Sequence, residues 1–83
     1  MNSDARDGKM PAQVTNRFRL LLAEKETREK RHIPLKEVQR ATGMAWTTLQ
    51  HWANNDVTRF DVPVIAALCE YLECGVGDLL VLE

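Results

Sequence analysis

A glycine that separates two short amphipathic segments is the feature that most constrains how this chain can fold. Ahead of it, apolar residues at three-residue spacing predict a short helix that begins after Pro34, since proline suits a helix's first turn. Thr42-Gly43 ends that helix, because glycine readily adopts the left-handed conformation of a sharp turn. A second helix is predicted at about Ala45 to Asn54, and Asn54-Asn55-Asp56 is expected to stop it. Residues 35 to 54 therefore predict a helix-turn-helix.

The segments before this motif predict a tail and one further helix. Residues 1 to 11 carry almost no apolar content and are expected to form a flexible tail, which leaves residues 12 to 83 as the folded domain. From Ala12 the spacing becomes helical, with an apolar stripe formed by Val14, Phe18, Leu21 and Leu22. The charged segment Glu26 to His32 either extends this helix into solvent or forms a basic loop.

Two helices are predicted after the motif. Asp61 is placed as the N-cap of a helix with Pro63 in its first turn, and this helix is expected to end at Cys74-Gly75. Gly77-Asp78 is expected to start a short fifth helix. No alternating pattern longer than residues 80 to 82 suggests a strand, so the predicted fold class is all-α with five helices.

Length and composition exclude several kinds of protein. With 83 residues, the chain is long enough for a single small domain. No apolar run approaches the roughly 18 residues that cross a bilayer, and the first ten residues have no hydrophobic signal core. We therefore expect a cytoplasmic protein that neither enters a membrane nor is secreted.

Neither an enzyme site nor a metal site is expected. Cys69 and Cys74 are spaced unlike a redox pair or a zinc set, and they are predicted to be free thiols. The chain has no nucleophile paired with a base, no carboxylate dyad and no phosphate-binding glycine loop. We expect no cofactor and no small-molecule ligand.

Charge is distributed unevenly along the chain, although the total is only −1. Residues 1 to 42 carry ten of the eleven Lys and Arg residues against six acids, which gives +4. Residues 43 to 83 carry one Arg against six acids, which gives −5. Such a split suits a protein with a basic face for a polyanion, although a solvated surface without any partner has the same pattern.

The outward side of the second motif helix has an unusual composition. At about 100° per residue, and with Leu49 taken as inward, the far side holds Thr47, Gln50, His51 and Asn54. None of these is Lys, Arg, Asp or Glu, whereas a solvated helix face normally carries charge. Gln or Asn can pair with adenine, and a Thr methyl group can contact thymine. The composition indicates a face that lies against base edges, although Thr47 and Gln50 could also be ordinary surface residues.

With these residues in view, positions 14 to 80 resemble the lambda-repressor/Cro-like (Xre-type) helix-turn-helix DNA-binding domains, in particular their compact single-domain subgroup. The stretches that carry the resemblance are NRFRLLLAEK (16 to 25), IPLKEVQRATGMAWTTLQHW (33 to 52) and FDVPVIAALCEYLECGVGDLL (60 to 80). The resemblance implies five helices, with the third in the major groove of double-stranded DNA. It also implies a homodimer on two half-sites.

The resemblance also implies which residues touch DNA. The matching base-facing positions are Ala45, Trp46, Thr47, Gln50 and His51. Thr48 and Asn54 match positions near the phosphates. Three basic residues are further candidates for phosphate contacts, although any one of them alone is more often a solvated side chain, and they are Lys36, Arg40 and Arg59.

The sequence departs from the family pattern at three places. Gln39 stands where a small residue is usual, four positions before the turn glycine, and Leu35 stands where a phosphate-contacting glutamine is often found. The basic run Arg28 to His32 is additional, and it either binds phosphate or forms a solvated loop. Trp46 either packs on the motif helix that precedes Gly43 or enters the groove, whereas Trp52 and Met44 are predicted to belong to the core.

These observations predict a sequence-specific DNA-binding transcriptional regulator, a repressor by family resemblance, that occupies an operator or promoter. The alternative is a protein-interaction module, such as an antitoxin-like or adaptor domain, that holds its partner through the acidic helices after Asp61. Binding to DNA separates the two hypotheses.

Overall fold

The computed structural model describes residues 14 to 82, so the expected tail over residues 1 to 11 lies outside the described part of the chain. Five helices and two short strands are present in it. In chain order they are β1 (Val14–Asn16), α1 (Phe18–Glu29), α2 (Leu35–Thr42), α3 (Trp46–Ala53), α4 (Val62–Leu72), α5 (Val76–Leu79) and β2 (Leu80–Leu82). The predicted all-α fold with five helices is confirmed, with one small sheet in addition.

The small sheet joins the two ends of the described chain. β1 and β2 pair in antiparallel fashion, with Val14 opposite Leu82 and Asn16 opposite Leu80. The prediction that Val14 lies in the first helix is therefore wrong. Its helical spacing from Phe18 is outweighed by pairing with the C-terminal strand, a long-range contact that local periodicity does not show.

Asn16 fixes the point at which strand gives way to helix. Its side-chain Oδ1 accepts a hydrogen bond from the N–H of Phe18 at 3.0 Å, in the first turn of α1. The N–H of Arg17 meanwhile donates to the carbonyl oxygen of Leu79 at 2.7 Å. The N–H groups of Arg17 and Phe18 are thus bonded to partners outside the helix, and α1 starts later than predicted.

The core lies where the helices converge. Its buried residues come from every helix, and they are Phe18, Leu22, Ile33, Val38, Met44, Leu49, Trp52, Ala53, Leu68, Leu72 and Leu79. The predicted core positions of Trp52 and Met44 are confirmed. Val38 of α2 and Leu49 of α3 are fully buried, so the two motif helices are fixed against each other by packing.

Three helices end in the same way, each on a residue other than glycine. Lys30, Asn55 and Glu73 follow α1, α3 and α4 with φ angles of 58°, 57° and 58°. In each case the next N–H returns to a carbonyl five residues earlier, as from Cys74 to Cys69 at 3.0 Å. This is a Schellman motif, whose left-handed position usually carries glycine.

The end of α4 and the start of α5 therefore differ from prediction. α4 ends at Leu72 and not at Cys74-Gly75, because Glu73 takes the left-handed conformation itself. Gly75 instead precedes α5, and its N–H donates to Asp78 Oδ2 at 2.9 Å. Asp78 thus lies within the first turn of α5, which begins at Val76 rather than at Gly77-Asp78.

The start of α4 is as predicted in position. Asp61 is the N-cap residue and Pro63 lies in the first turn, although the Asp61 side chain makes no capping hydrogen bond.

Among the helices of residues 14 to 82, none combines the length and the hydrophobicity that a membrane-spanning helix requires.

Candidate nucleic-acid interface

The two faces of α3 differ sharply in exposure. Leu49, Trp52 and Ala53 are buried on one face. On the other face, the four predicted outward residues are all exposed, and they are Thr47, Gln50, His51 and Asn54. A row of hydrogen-bonding side chains without any Lys, Arg, Asp or Glu is therefore accessible along α3.

The start of α3 is set by the glycine turn. Gly43 has a φ of 75° and donates its N–H to the carbonyl oxygen of Gln39 at 2.8 Å. A Cβ added at Gly43 would meet no atom within 4 Å, so the turn needs glycine for its conformation and not for space. The Thr42 hydroxyl donates to the carbonyl oxygen of Val38 at 2.8 Å and accepts from the N–H of Met44 at 3.3 Å.

Ala45 and Trp46 lie at the N-terminal end of α3. Ala45 is the exposed N-cap residue, in extended conformation. Trp46 is half-buried and packs against the core, so it has features of both alternatives left open by the sequence. The Lys36 ammonium lies over the Trp46 ring, 4.4 Å from the ring centroid. This cation–π contact joins α2 to α3.

The three basic candidates for phosphate contacts flank this helix. Lys36 and Arg40 are exposed on α2 at a spacing of four, which places them on one side of that helix. Arg59 is exposed in the segment between α3 and α4. Within residues 14 to 82, none of the three has an acidic partner at ion-pair distance.

A small cleft separates α3 from the segment between α3 and α4. Its volume is about 180 Å³, and half-buried Thr48 and exposed Arg59 both line it. Trp52 closes the cleft from the core side and contacts Phe60 edge-on, with ring centroids 5.7 Å apart. The predicted phosphate candidates Thr48 and Arg59 thus lie close together in space.

The basic run Arg28 to His32 is largely occupied by ion pairs. Arg31 joins Glu37, with Nη1 2.9 Å from Oε1, and also Glu29 at 2.9 Å. Arg28 lies 3.8 Å from Glu73, and His32 Nδ1 lies 3.0 Å from Glu26 Oε2. These pairs favour the interpretation that this segment is a structural connection between α1 and α2. They argue against the alternative, a second phosphate-binding patch.

Electrostatics within this connection are strong enough to shift protonation. The hydrogen bond from Arg31 holds the pKa of the Glu37 carboxyl below its usual value of 4.5. Lys25, 2.9 Å away, lowers the pKa of Glu29 first, and Arg31 adds to that effect. Both carboxylates are therefore held in their charged form near neutral pH.

The two thiols lie away from this face. Cys69 and Cys74 are half-buried and free, as predicted. Burial, followed by the neighbouring Cys69, raises the pKa of Cys74 to about 11. The thiol of Cys74 therefore keeps its proton at neutral pH. Within residues 14 to 82, no cluster of three or more His, Cys, Asp or Glu residues could hold a metal ion.

Sequence reasoning missed the residues that hold the C-terminal end of α3. Arg19 Nε donates to the carbonyl oxygen of Ala53 at 2.8 Å, and the N–H of Asn16 donates to Asn55 Oδ1 at 3.1 Å. Asp56 Oδ1 lies 2.8 Å from His51 Nδ1. Only the Asn54-Asn55-Asp56 stop signal pointed to this region, since nothing in local spacing pairs Arg19 with a helix 34 residues away.

Comparison with known proteins agrees with this geometry. The model of the Cro/C1-type HTH DNA-binding domain family matches residues 25 to 83, which include both helices of the motif. Searches of curated proteins and of solved structures gave no significant match. The match spans well over half of the chain, and it confirms both the resemblance to the lambda-repressor/Cro-like family and the prediction of a DNA-binding domain. The chain belongs to the family of Cro/C1-type helix-turn-helix DNA-binding domains.

Proposed function

We propose that this protein is a sequence-specific transcriptional regulator that represses by occupying an operator or promoter. The observation that carries the proposal is the exposed polar face of α3, which has no Lys, Arg, Asp or Glu and lies opposite a buried face that fixes the helix in the fold. A helix held in this way can enter the major groove as a rigid body. Its side chains then meet base edges instead of water.

Each residue proposed to contact a base can make a particular kind of contact. Gln50 can form two hydrogen bonds with adenine, and the methyl group of Thr47 can contact that of thymine. Ala45 and Trp46 supply apolar surface at the N-terminal end of α3, which is the end that enters the groove first. His51 supplies a ring nitrogen. Together these side chains provide sequence preference, whereas the affinity comes largely from the phosphate contacts.

The phosphate contacts come from residues on both sides of α3. Lys36 and Arg40 on α2, and Arg59 before α4, are exposed cations without acidic partners among the described residues. Thr48 and Asn54 add a hydroxyl and an amide near the ends of the helix. Cations on either side of the groove can straddle it and fix the register of the helix on the duplex.

We propose a homodimer as the form that binds. One helix of eight residues reads only a few base pairs, and two copies on half-sites one helical turn apart read twice as many. A regulator of this kind acts in the cytoplasm, on the DNA of the nucleoid.

Selection from a pool of random duplexes tests the proposal. The full chain should enrich one motif with two half-sites about 10 base pairs apart, and binding to it should weaken steeply with salt, at roughly −0.9 in log K per log salt for each neutralised phosphate. Enrichment of no sequence, or affinity that does not change with salt, contradicts the proposal. A complete failure to bind DNA favours the protein-interaction module instead.

A further inference from the structure

His51 and Asp56 are linked twice at the end of α3. The side-chain atoms His51 Nδ1 and Asp56 Oδ1 lie 2.8 Å apart. The backbone N–H of Asp56 also donates to the carbonyl oxygen of His51 at 3.0 Å. Both side chains are about half exposed, at 54% and 55%, so the imidazole is accessible while one of its nitrogens is engaged.

The short backbone path between the two residues explains why they meet. Asn55 takes a left-handed φ of 57°, which turns the chain back on α3. Its side chain is in turn tied to β1, since Asn55 Oδ1 accepts the N–H of Asn16 at 3.1 Å. Asp56 is thus placed by the fold, whereas an ordinary surface ion pair is held only by two flexible side chains.

The chemistry of the pair determines where the imidazole proton lies. A carboxylate can only accept hydrogen bonds, so a contact with Asp56 Oδ1 requires a hydrogen on His51 Nδ1. A neutral imidazole carries one hydrogen, which leaves Nε2 as a lone-pair acceptor. Since Nδ1 is engaged with Asp56, Nε2 is the nitrogen left for the outward side of α3.

From this we infer, on the basis of the proposed function, that Asp56 is a positioning residue that makes His51 Nε2 an acceptor for the exocyclic amine of a base. In the major groove such amines are N6 of adenine and N4 of cytosine, whereas guanine and thymine present acceptors. His51 in its neutral form therefore selects adenine or cytosine over guanine or thymine on the strand that it contacts. Asp56 sets that choice without touching DNA.

The test uses the full chain and the duplex that it selects from a random pool, at a basic pH of about 8.5, because high pH favours the neutral form of an imidazole. The relevant base pair is the one at which His51→Ala removes the preference. At that pair, wild type should bind duplexes with adenine or cytosine on the contacted strand about fivefold or more tightly than those with guanine or thymine. Asp56→Asn should bring the ratio close to one, because an amide offers either a donor or an acceptor to Nδ1.

Asp61→Asn is the matched control. Asp61 lines the same cleft as His51 and carries the same charge as Asp56, but it forms no hydrogen bond or ion pair with the imidazole. Both variants remove one negative charge near DNA, so both should gain the same general increase in affinity from weaker repulsion of the phosphates. Only Asp56→Asn should change the ratio between duplexes. Long-range ¹⁵N correlations of the free protein at the same pH should show the hydrogen on Nδ1 in wild type, and a changed distribution in Asp56→Asn alone.

Different results overturn different claims. Sequence-selective binding with an equal ratio in Asp56→Asn and wild type overturns this inference alone. The same holds for a wild-type preference for guanine or thymine at the His51 pair, for a His51→Ala variant that keeps every preference, and for a hydrogen found on Nε2. Failure of the wild-type protein to bind any duplex overturns the proposed function together with this inference.

Discussion

Arg19, in the first turn of α1, donates a hydrogen bond of 2.8 Å from its Nε to the backbone carbonyl oxygen of Ala53, the last residue of α3. Carbonyl groups in the last turn of a helix lack partners within the helix and carry partial negative charge. A guanidinium group supplies both a hydrogen-bond donor and a positive charge at this end of the helix. The contact ties the C-terminal end of α3 to the first helix of the fold.

Replacement of Arg19 by Met should lower the free energy of unfolding by about 1 kcal/mol, because the hydrogen bond to the Ala53 carbonyl is lost. Urea unfolding followed by far-UV circular dichroism measures the change. Arg17→Met removes the same charge from an exposed neighbour whose side chain is not bonded to α3, and it should have a much smaller effect. Equal losses in the two variants would show that the contact adds nothing to stability.

Acid should weaken the fold through the pair formed by Arg31 and Glu37. The folded-state pKa of Glu37 lies below its usual value of 4.5, so its contribution to stability is complete above that pH and is lost as the pH falls through the folded-state value. Unfolding free energy should therefore decrease below about pH 4.5, and the decrease should be shallower in Arg31→Met. In Arg28→Met, whose partner Glu73 is 3.8 Å away, the pH dependence should stay as in wild type. An unchanged profile in Arg31→Met would contradict the assignment.

Glycine at position 30 should stabilise the protein. Lys30 ends α1 with a φ of 58°, a conformation that costs a residue with a Cβ about 1 kcal/mol relative to glycine. We expect Lys30→Gly to raise the free energy of unfolding by about 0.5 to 1 kcal/mol in urea unfolding. Lys30→Ala removes the same side chain but keeps the strain, so it serves as the control. A gain in Lys30→Ala as large as that in Lys30→Gly would assign the effect to the lysine charge.

Lys36 should contribute to affinity for DNA but not to sequence preference. Its ammonium lies over the Trp46 ring at the edge of the α3 face, where a phosphate can reach it. Lys36→Met should weaken binding to all sequences alike and reduce the salt slope by about 1 for each protomer bound. Lys25→Met is the control, because Lys25 is held by Glu29 and by the Tyr71 ring, 4.9 Å from its centroid. Fluorescence anisotropy over a series of salt concentrations gives both slopes, and identical slopes for Lys36→Met and wild type would exclude the contact.

Local patterns in the sequence predicted the parts of the fold that depend on local physics. Leu49 and Trp52 recur at helical spacing, and both are buried, so the outward side of α3 followed directly from them. Gly43 supplied a left-handed turn where one is needed. Val14 was placed wrongly because its partner, Leu82, lies at the other end of the chain. The end of α4 was missed because Glu73 adopts a conformation that its side chain disfavours, and tertiary packing decides such cases.

The supports of the candidate site were harder to predict than its surface. Thr47 and Gln50 could be named from helical periodicity alone, and the structure leaves both exposed. Arg19 gave no such signal, since it lies off the apolar stripe of α1 and its partner is a backbone atom. Asp56 was visible only as part of a helix stop. The contact with His51 depends on the left-handed turn at Asn55, which sequence does not specify.

The most direct test of the central claim, that the outer face of α3 reads base edges, is the affinity of Gln50→Ala for a selected duplex and for random DNA. Gln50 is exposed in the middle of that face, and its loss should remove hydrogen bonds to one base without altering phosphate contacts. We expect specific binding to weaken by about 1 to 3 kcal/mol, preference to relax at one base pair, and binding to random DNA to stay unchanged. Equal losses on both duplexes, or no loss on either, would contradict the account.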